Sequence, residues 1–456
     1  MGLGYFLSLL LCAAALTASS VFCKDEDSED LRWTRQSLPV LQDTHTELLD
    51  PPLFRGSGVN EEKGGKCQIK HTSVDQSEQE RILGYETTYE NGTRTHTDVS
   101  LPGFNTTAGE KPVHSPAHTR RRRQVYGSDG RFVISDSHFI TNYPFSTAVR
   151  LSTGCSGVLV SPKHVLTAAH CVHDGKDYLE GARKLRVGVL QLKSKRRRGG
   201  RRRKGRREEG DGEEEEQMME EGEEQNSIDG DVGNRKKDGR GKRRRGRKEG
   251  EEGVADGGDV EGERKRLNRV RRGAPSKKQP VFRWSRVKQT KIPQGWMQTE
   301  KSPNSVSSDY DYALVELKRP LKQKFMELGV APSIAPLTRI HFSGYDTDKE
   351  WPGEERVVYR FCSVSNESDD LIYQHCDAQV GATGAGVYIR LRQEVGDAGG
   401  KGKWQRRVIG VFSGHQWVEV EGGGLKDFNV AVRITPAKYA QICHWIHGDP
   451  RLCKEV

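Results

Sequence analysis

Three short stretches carry residues whose types and surroundings could do chemistry. The first, GVLVSPKHVLTAAHCV over residues 157–172, ends on His170 beside Cys171. An imidazole titrates near neutrality, so His170 can take a proton and return it as a general base and acid. The second, SSDYDYALVELKRPL over 307–321, sets Asp311 just ahead of an apolar strand. A buried carboxylate there orients one tautomer of a histidine and stabilises its protonated form. The third, VGATGAGVYIR over 380–390, holds the hydroxyl of Thr383 between Gly381 and Gly384. Glycines at those places allow a tight turn whose backbone N–H groups, those of Gly381 and Thr383, can face a developing oxyanion. Base, acid and hydroxyl together make a set for nucleophilic hydrolysis. Each also has a plainer reading: a His-Cys pair is often structural, and an aspartate before a strand is often a turn residue.

Taken together, the segments resemble those of the trypsin-like serine proteases, the chymotrypsin-fold family also called peptidase S1. Thr167-Ala168-Ala169-His170-Cys171 matches the family's histidine segment, and Asp311 precedes a strand of the family's x-Ala-Leu-Val-x-Leu form. Gly381-Ala382-Thr383-Gly384 stands where the family carries Gly-x-Ser-Gly. The resemblance covers about residues 124–190 and 281–456. It implies His170 as base, Asp311 as orienting acid, residue 383 as the nucleophile position, Gly381 and Thr383 as oxyanion donors, and a disulfide between Cys155 and Cys171. GSDGRFVISD and IHFSGYDTDK further resemble the bacterial glutamyl-endopeptidase branch.

Two departures bear on activity. The methyl of Thr383 stiffens the side-chain torsion and crowds the path to a carbonyl. Threonine does serve as a nucleophile in N-terminal hydrolases, but there its own α-amine is the base, and Thr383 is internal. Loss of a triad nucleophile costs on the order of a millionfold in turnover. Ala382 occupies the place where the family's zymogens keep an aspartate for the new N-terminal amine, and Gln124, after the basic run, tends to cyclise. Some glutamyl endopeptidases also lack that aspartate, so residue 383 carries the weight.

The elements that must position these residues read as strands. RFVISD, STAVRL, SGVLVS, KLRVGVLQL, ERVVYRFCSV, GVYIRL and RRVIGVFSG alternate Val and Ile with polar residues and are punctuated by Gly, Ser, Asp and Pro. That pattern predicts an all-β fold. The resemblance sharpens it to two six-stranded antiparallel β-barrels of the trypsin-like type. A C-terminal helix follows in TPAKYAQICHWIHGD, where Thr435 caps, Pro436 opens the first turn, and Tyr439, Ile442 and Ile446 recur at helical spacing.

The chain has 456 residues, with 74 Lys and Arg against 64 Asp and Glu. Residues 1–20 read as a signal peptide, too short in their apolar core to span a bilayer, and no later run is apolar enough to cross one. Residues 21–123 are polar with little periodicity and read as a largely disordered pro-region. It ends at Arg120, Arg121, Arg122 and Arg123, a run suited to the acidic cleft of a furin-like processing enzyme. The peptidase domain is then 124–456, interrupted over 193–278 by alternating basic and acidic runs that cannot bury enough apolar surface to order. Eight cysteines outlast the signal and allow 105 pairings. Sequons at Asn91, Asn105 and Asn366 agree with a secreted, extracellular protein.

The basic runs would attract polyanions such as heparan sulfate. No aromatic residue interleaves them, so nucleic acid is not expected. No cofactor or metal is implied. The expectation is a secreted protease homologue without turnover that binds a protein or peptide in its vestigial cleft. A weak endopeptidase using Thr383 and a matrix-glycan binder acting through the insertion are the alternatives.

Overall fold

The computed structural model describes residues 32–33, 35, 37–56, 75–102, 130–134, 137–193, 279–297, 308–332, 338–347, 356–393, 403–420, 424–454 and 456. The signal peptide, Arg120–Arg123, Gln124, Asn105, Cys23, Cys67 and residues 194–278 of the charged insertion lie outside them.

Four strands arise before residue 103: β1 (Arg32–Trp33), β2 (Gln42–Leu49), β3 (Tyr85–Tyr89) and β4 (Arg94–Ser100), with helix α1 (Gln76–Leu83) between β2 and β3. After the short β5 (Phe132–Ile134) come β6 (Ala148–Leu151), β7 (Ser156–Leu159), β8 (His164–Thr167), β9 (Arg186–Lys193), β10 (Gln279–Pro293) and β11 (Ala313–Leu317). These last six close in the order β11-β8-β7-β6-β9-β10, with β10 returning to β11. The second set is β12 (Glu327–Leu328), β13 (Arg339–Gly344), β14 (Val357–Glu367), β15 (Leu371–Gln374), β16 (Gly386–Gln393), β17 (Trp404–Val420) and β18 (Gly424–Arg433). Here β16-β13-β14-β15-β18-β17 close on the β16–β17 pairing, while β12 joins β17 in parallel. Two closed six-stranded antiparallel barrels result, as the resemblance implied.

Closure leaves each barrel strand with one face on a packed interior, and this is why Val and Ile alternate along the runs. Val149, Leu151, Val165, Leu166, Val187, Val189 and Val315 fill the first barrel, and Ile340, Phe342, Val387, Ile389, Ile409 and Phe412 the second. The terminal helix α2 (Pro436–His447) starts where the Thr435 hydroxyl accepts from the Lys438 N–H at 3.4 Å. It ends at Gly448, which takes the left-handed conformation at φ 68°. Three disulfides, Cys155–Cys171, Cys362–Cys376 and Cys443–Cys453, each join residues 10 to 16 apart.

The expectation of a largely disordered stretch over 21–123 is corrected for its described residues. β3 pairs antiparallel with β10 and β4, and β4 pairs with β2, extending the first barrel's sheet. Leu41, Leu83, Tyr85, Val99 and Leu101 are buried in the same core as the barrel. The Gln294 N–H donates to the Gly84 carbonyl at 2.6 Å, the Gln441 amide to that of Leu83, and the Tyr85 and Trp445 rings meet at 5.3 Å. Local composition failed here because the strands are polar: β2 is exposed along nearly its whole length, and β3 and β4 bury their few apolar residues against residues far along the chain. Strand β10 escaped the alternation reading for a related reason: Arg283, Arg286 and Lys288 are exposed along it.

One buried group gives the fold a pH dependence. His173, two residues past the site loop, is buried; its Nδ1 accepts from the Gly175 N–H at 3.0 Å and its ring stands edge-on to Tyr178 at 4.7 Å. Burial pushes its pKa down to about 4; Asp174 opposes this with a smaller upward effect, and Arg94 adds a smaller downward one. The unfolded chain therefore binds a proton near pH 6.5 that the native chain refuses, so stability present above that pH is lost as pH falls toward 4. We expect His173→Gln to flatten this part of the urea-midpoint profile, removing on the order of 3 kcal/mol of acid sensitivity. An unchanged slope between pH 6.5 and 4 in the variant would count against His173 as its source.

Candidate active site

His170 lies in a helical turn, Ala169–Cys171, that follows β8, and the Cys155–Cys171 bridge ties that turn to the start of β7. Asp311 sits two residues before β11, which pairs with β8. That pairing brings residues 141 positions apart together: His170 Nδ1 lies 2.7 Å from Asp311 Oδ2, and the His170 backbone N–H donates to Oδ1 at 2.9 Å. The Ser413 hydroxyl, on β17, also donates to Asp311 Oδ2. Asp311 is wholly buried, and three donors offset the cost of holding its charge there. With the Nδ1 proton directed at Asp311, the lone pair of His170 belongs to Nε2, the atom a general base would use. The indole of Trp296 lies against the imidazole, 6.2 Å between ring centres, and its Nε1–H donates to the His173 carbonyl at 3.0 Å.

The turn that precedes β16 brings up residue 383. Its carbonyls are held from the other barrel: the Ser156 N–H donates to the Thr383 carbonyl at 2.8 Å, and the Ser156 hydroxyl to the Gly381 carbonyl at 2.7 Å. The Gly384 N–H donates to the Phe412 carbonyl at 2.8 Å, and that of Thr347 to the Val380 carbonyl at 2.6 Å. Gly381 and Gly384 have φ of 99° and 84°. A Cβ on Gly381 would stand 2.3 Å from the Tyr345 carbonyl oxygen, so both conformation and space demand glycine. Among the described residues, the N–H groups of Gly381 and Thr383 enter no backbone hydrogen bond, which leaves them available as an oxyanion cradle.

Thr383 itself breaks the constellation. Its side chain has no solvent exposure, and among the described residues its Oγ1 has no hydrogen-bond partner. A poised nucleophile shares its proton with the base; this hydroxyl does not. His170 is only 5% exposed, so the base too is nearly closed to solvent.

Ala382, also fully buried, has no carboxylate to receive an N-terminal amine. A different ionic cluster braces the neighbouring strap, residues 345–347. Asp346 pairs with the buried Arg360, and with Arg131 at 3.2 Å. Arg360 Nε donates to the Asp377 carbonyl at 2.5 Å, while the Asp377 carboxylate accepts from the Gly130 N–H at 2.6 Å. The Tyr345 N–H then reaches Ser156 Oγ at 2.8 Å, joining the strap to the same serine that clamps the turn.

The histidine segment falls within residues 133–212, which match a sequence profile described as Trypsin. Inactive serine protease 35 of Homo sapiens is 49% identical over 429 residues, covering 93% of each chain. Its counterpart from Mus musculus is 46% identical over 440 residues, 94% of each. Serine protease 23 of Homo sapiens is 40% identical over 466 residues, covering 100% of this chain and 98% of its own. The chain belongs to the trypsin-like serine protease family. A solved structure titled as a Glu endopeptidase in complex with MPD aligns with 71% of this chain and 99% of its own, at 15% identity and a TM-score of 0.39. Such a slight likeness carries no argument.

Within this trypsin-like frame, sequence reasoning missed Ser156, Ser413, Trp296 and the Asp346–Arg360 pair. Ser156 follows Cys155 directly at the head of a strand, and Ser413 lies in the RRVIGVFSG run, so both had a local signal. Trp296 and Arg360 had none, since their partners are contributed by distant strands. Of the sequons, Asn91 is exposed in the turn between β3 and β4, and Asn366 is exposed on β14. Among the described residues no helix is long and apolar enough to cross a membrane, and no group of three potential ligands could hold a metal ion.

Proposed function

We propose that this chain is a secreted, catalytically inactive trypsin-like homologue that acts by binding a protein or peptide segment. The relatives' names divide on activity, one being called inactive and the other simply a protease. The weight therefore falls on a single observation within this chain. Thr383 Oγ1 is buried and unpartnered beside an intact His170–Asp311–Ser413 relay. A β-branched residue in a tight turn has one comfortable rotamer, and a hydroxyl outside hydrogen-bond reach of its base gains no nucleophilicity from it.

Peptide binding is supported by a strand edge. Strand β17 pairs with β16 only as far as Val411, but with β18 through Val420. An extended segment that continued the β16 side of this ladder would add to β17 by main-chain hydrogen bonds. Secretion is supported by the apolar leader and by three disulfides, which persist in oxidising compartments. A processing cut at Arg120–Arg123 would leave β2, β3 and β4 packed on the barrel. Glycans on Asn91, Asn105 and Asn366, and heparan sulfate capture by the insertion, are part of the same proposal. Heparin affinity left unchanged by deletion of residues 193–272 would remove the insertion's part in it.

A serine-directed fluorophosphonate probe tests the central reading. The convertase-processed wild-type protein is expected to show no labelling. Labelling that disappears in Thr383→Ala would establish the alternative, an endopeptidase using Thr383.

A further inference from the structure

The outward face of the second barrel carries an unusual stripe. Across β5, β14, β13, β16 and β17, register sets Phe132 opposite Tyr359, Phe361 opposite His341, His341 opposite Tyr388, and Arg390 opposite Arg406. Five strands about 4.8 Å apart make the stripe roughly 19 Å long. Phe132 and Phe361 stack at 5.5 Å, and His341 stacks on Tyr388 at 5.4 Å. Phe132, Phe361 and Trp404 remain 49%, 36% and 49% exposed.

Guanidinium groups lie over these rings. Arg339 stands 5.0 Å from the centre of Phe361, Arg390 and Arg392 stand 4.7 and 4.9 Å from Trp404, and Arg406 stands 5.8 Å from Tyr143. None of these four arginines forms an ion pair among the described residues. Arg390 and Arg406 face each other directly across the strands, an arrangement that costs stability unless an anion neutralises it. His341 registers the local field: burial first, then Arg339, Arg406 and Arg390, lower its pKa to about 4. Beside the β17 end lies a groove of about 570 Å3 lined by Tyr143, Lys322, Lys324, Phe325, Trp404 and Arg406. Its one lining carboxylate is Glu327.

We propose that this stripe and groove bind a sulfated glycosaminoglycan chain, independently of both the vestigial cleft and the charged insertion. Four guanidiniums with no ion pair among the described residues offer forked donors to sulfate and carboxylate oxygens. The rings between them offer apolar surface to the C–H faces of pyranose rings.

The test uses the full chain, a deletion of residues 193–272, and Arg390→Gln/Arg406→Gln in each background. Titration calorimetry with a heparin octasaccharide gives the affinity, and urea midpoints give the fold. The double substitution is expected to weaken octasaccharide binding by about tenfold or more in the deletion background, since each lost cation removes released counterions. The urea midpoint should hold or rise as the opposed charges go. Unchanged affinity on Arg390→Gln/Arg406→Gln, or loss of all binding on deletion alone, overturns the proposal. Displacement of the octasaccharide by polyglutamate as readily as by heparin overturns it too, in favour of an acidic-peptide surface. None of these outcomes touches the probe test of Thr383.

Discussion

Thr383→Ser in the processed protein is expected to raise hydrolysis of a small activated ester at least about 10³-fold. The acid, the base and the oxyanion donors are already assembled. His170 Nδ1 is 2.7 Å from Asp311, Ser413 supports the same carboxylate, and the N–H groups of Gly381 and Thr383 enter no backbone hydrogen bond among the described residues. Removing the γ-methyl frees the torsion, so the hydroxyl can turn toward Nε2 and become a nucleophile. The full contribution of a triad serine is nearer 10⁶, and we expect less because residue 383 is buried and His170 is 5% exposed. A small ester is the right substrate for the same reason, since it asks for little opening. The gain must vanish in Thr383→Ser/His170→Ala. If the serine variant folds normally and gains nothing, then closure of the cleft, and not the methyl, is what disables the site.

The largest effect on stability should come from Gly384→Ala. At φ 84° an alanine is strained wherever it stands, a cost of order 1–3 kcal/mol. Here its Cβ would also lie 2.2 Å from the Ser156 carbonyl oxygen and 2.3 Å from Thr167 Oγ1. The Thr167 hydroxyl donates to that same carbonyl at 2.7 Å, and the Ser156 N–H holds the Thr383 carbonyl, so neither obstacle is free to move. We expect a loss above about 4 kcal/mol in urea unfolding, in the range reserved for collisions and broken buried networks. Gly448→Ala is the control. It shares a positive φ, 68°, but has nothing within 4 Å of the added Cβ, so only the strain, about 1 kcal/mol, should appear. Equal losses at the two sites would mean that the close approach of the two barrels at Gly384 contributes nothing.

Both expectations turn on contacts between the barrels, and there the sequence was only partly legible. His170, Asp311 and Thr383 each stand in a contiguous run of distinctive residues, because each rides the end of a strand or a tight turn with local demands. The barrel strands show the same legibility: short apolar runs such as RRVIGVFSG and GVYIRL, bounded by Gly, Ser and charged residues, mark strands buried on both faces. The stretch before residue 103 prints no such pattern. Its strands are polar, β2 is exposed along nearly its whole length, and Tyr85 and Leu101 are buried in a cluster shared with the barrel and α2.

The sequence alone determined the family, the β-barrel fold class and the identity of the residue at the nucleophile position, since all three depend on residue type and near-neighbour spacing. Only the tertiary structure decided what that residue does. Whether the hydroxyl of Thr383 meets the imidazole of His170 depends on how Ser156 of one barrel clamps a turn of the other. A hydrogen bond is made or lost over a few tenths of an ångström, and that distance is set by packing among residues more than 200 positions apart.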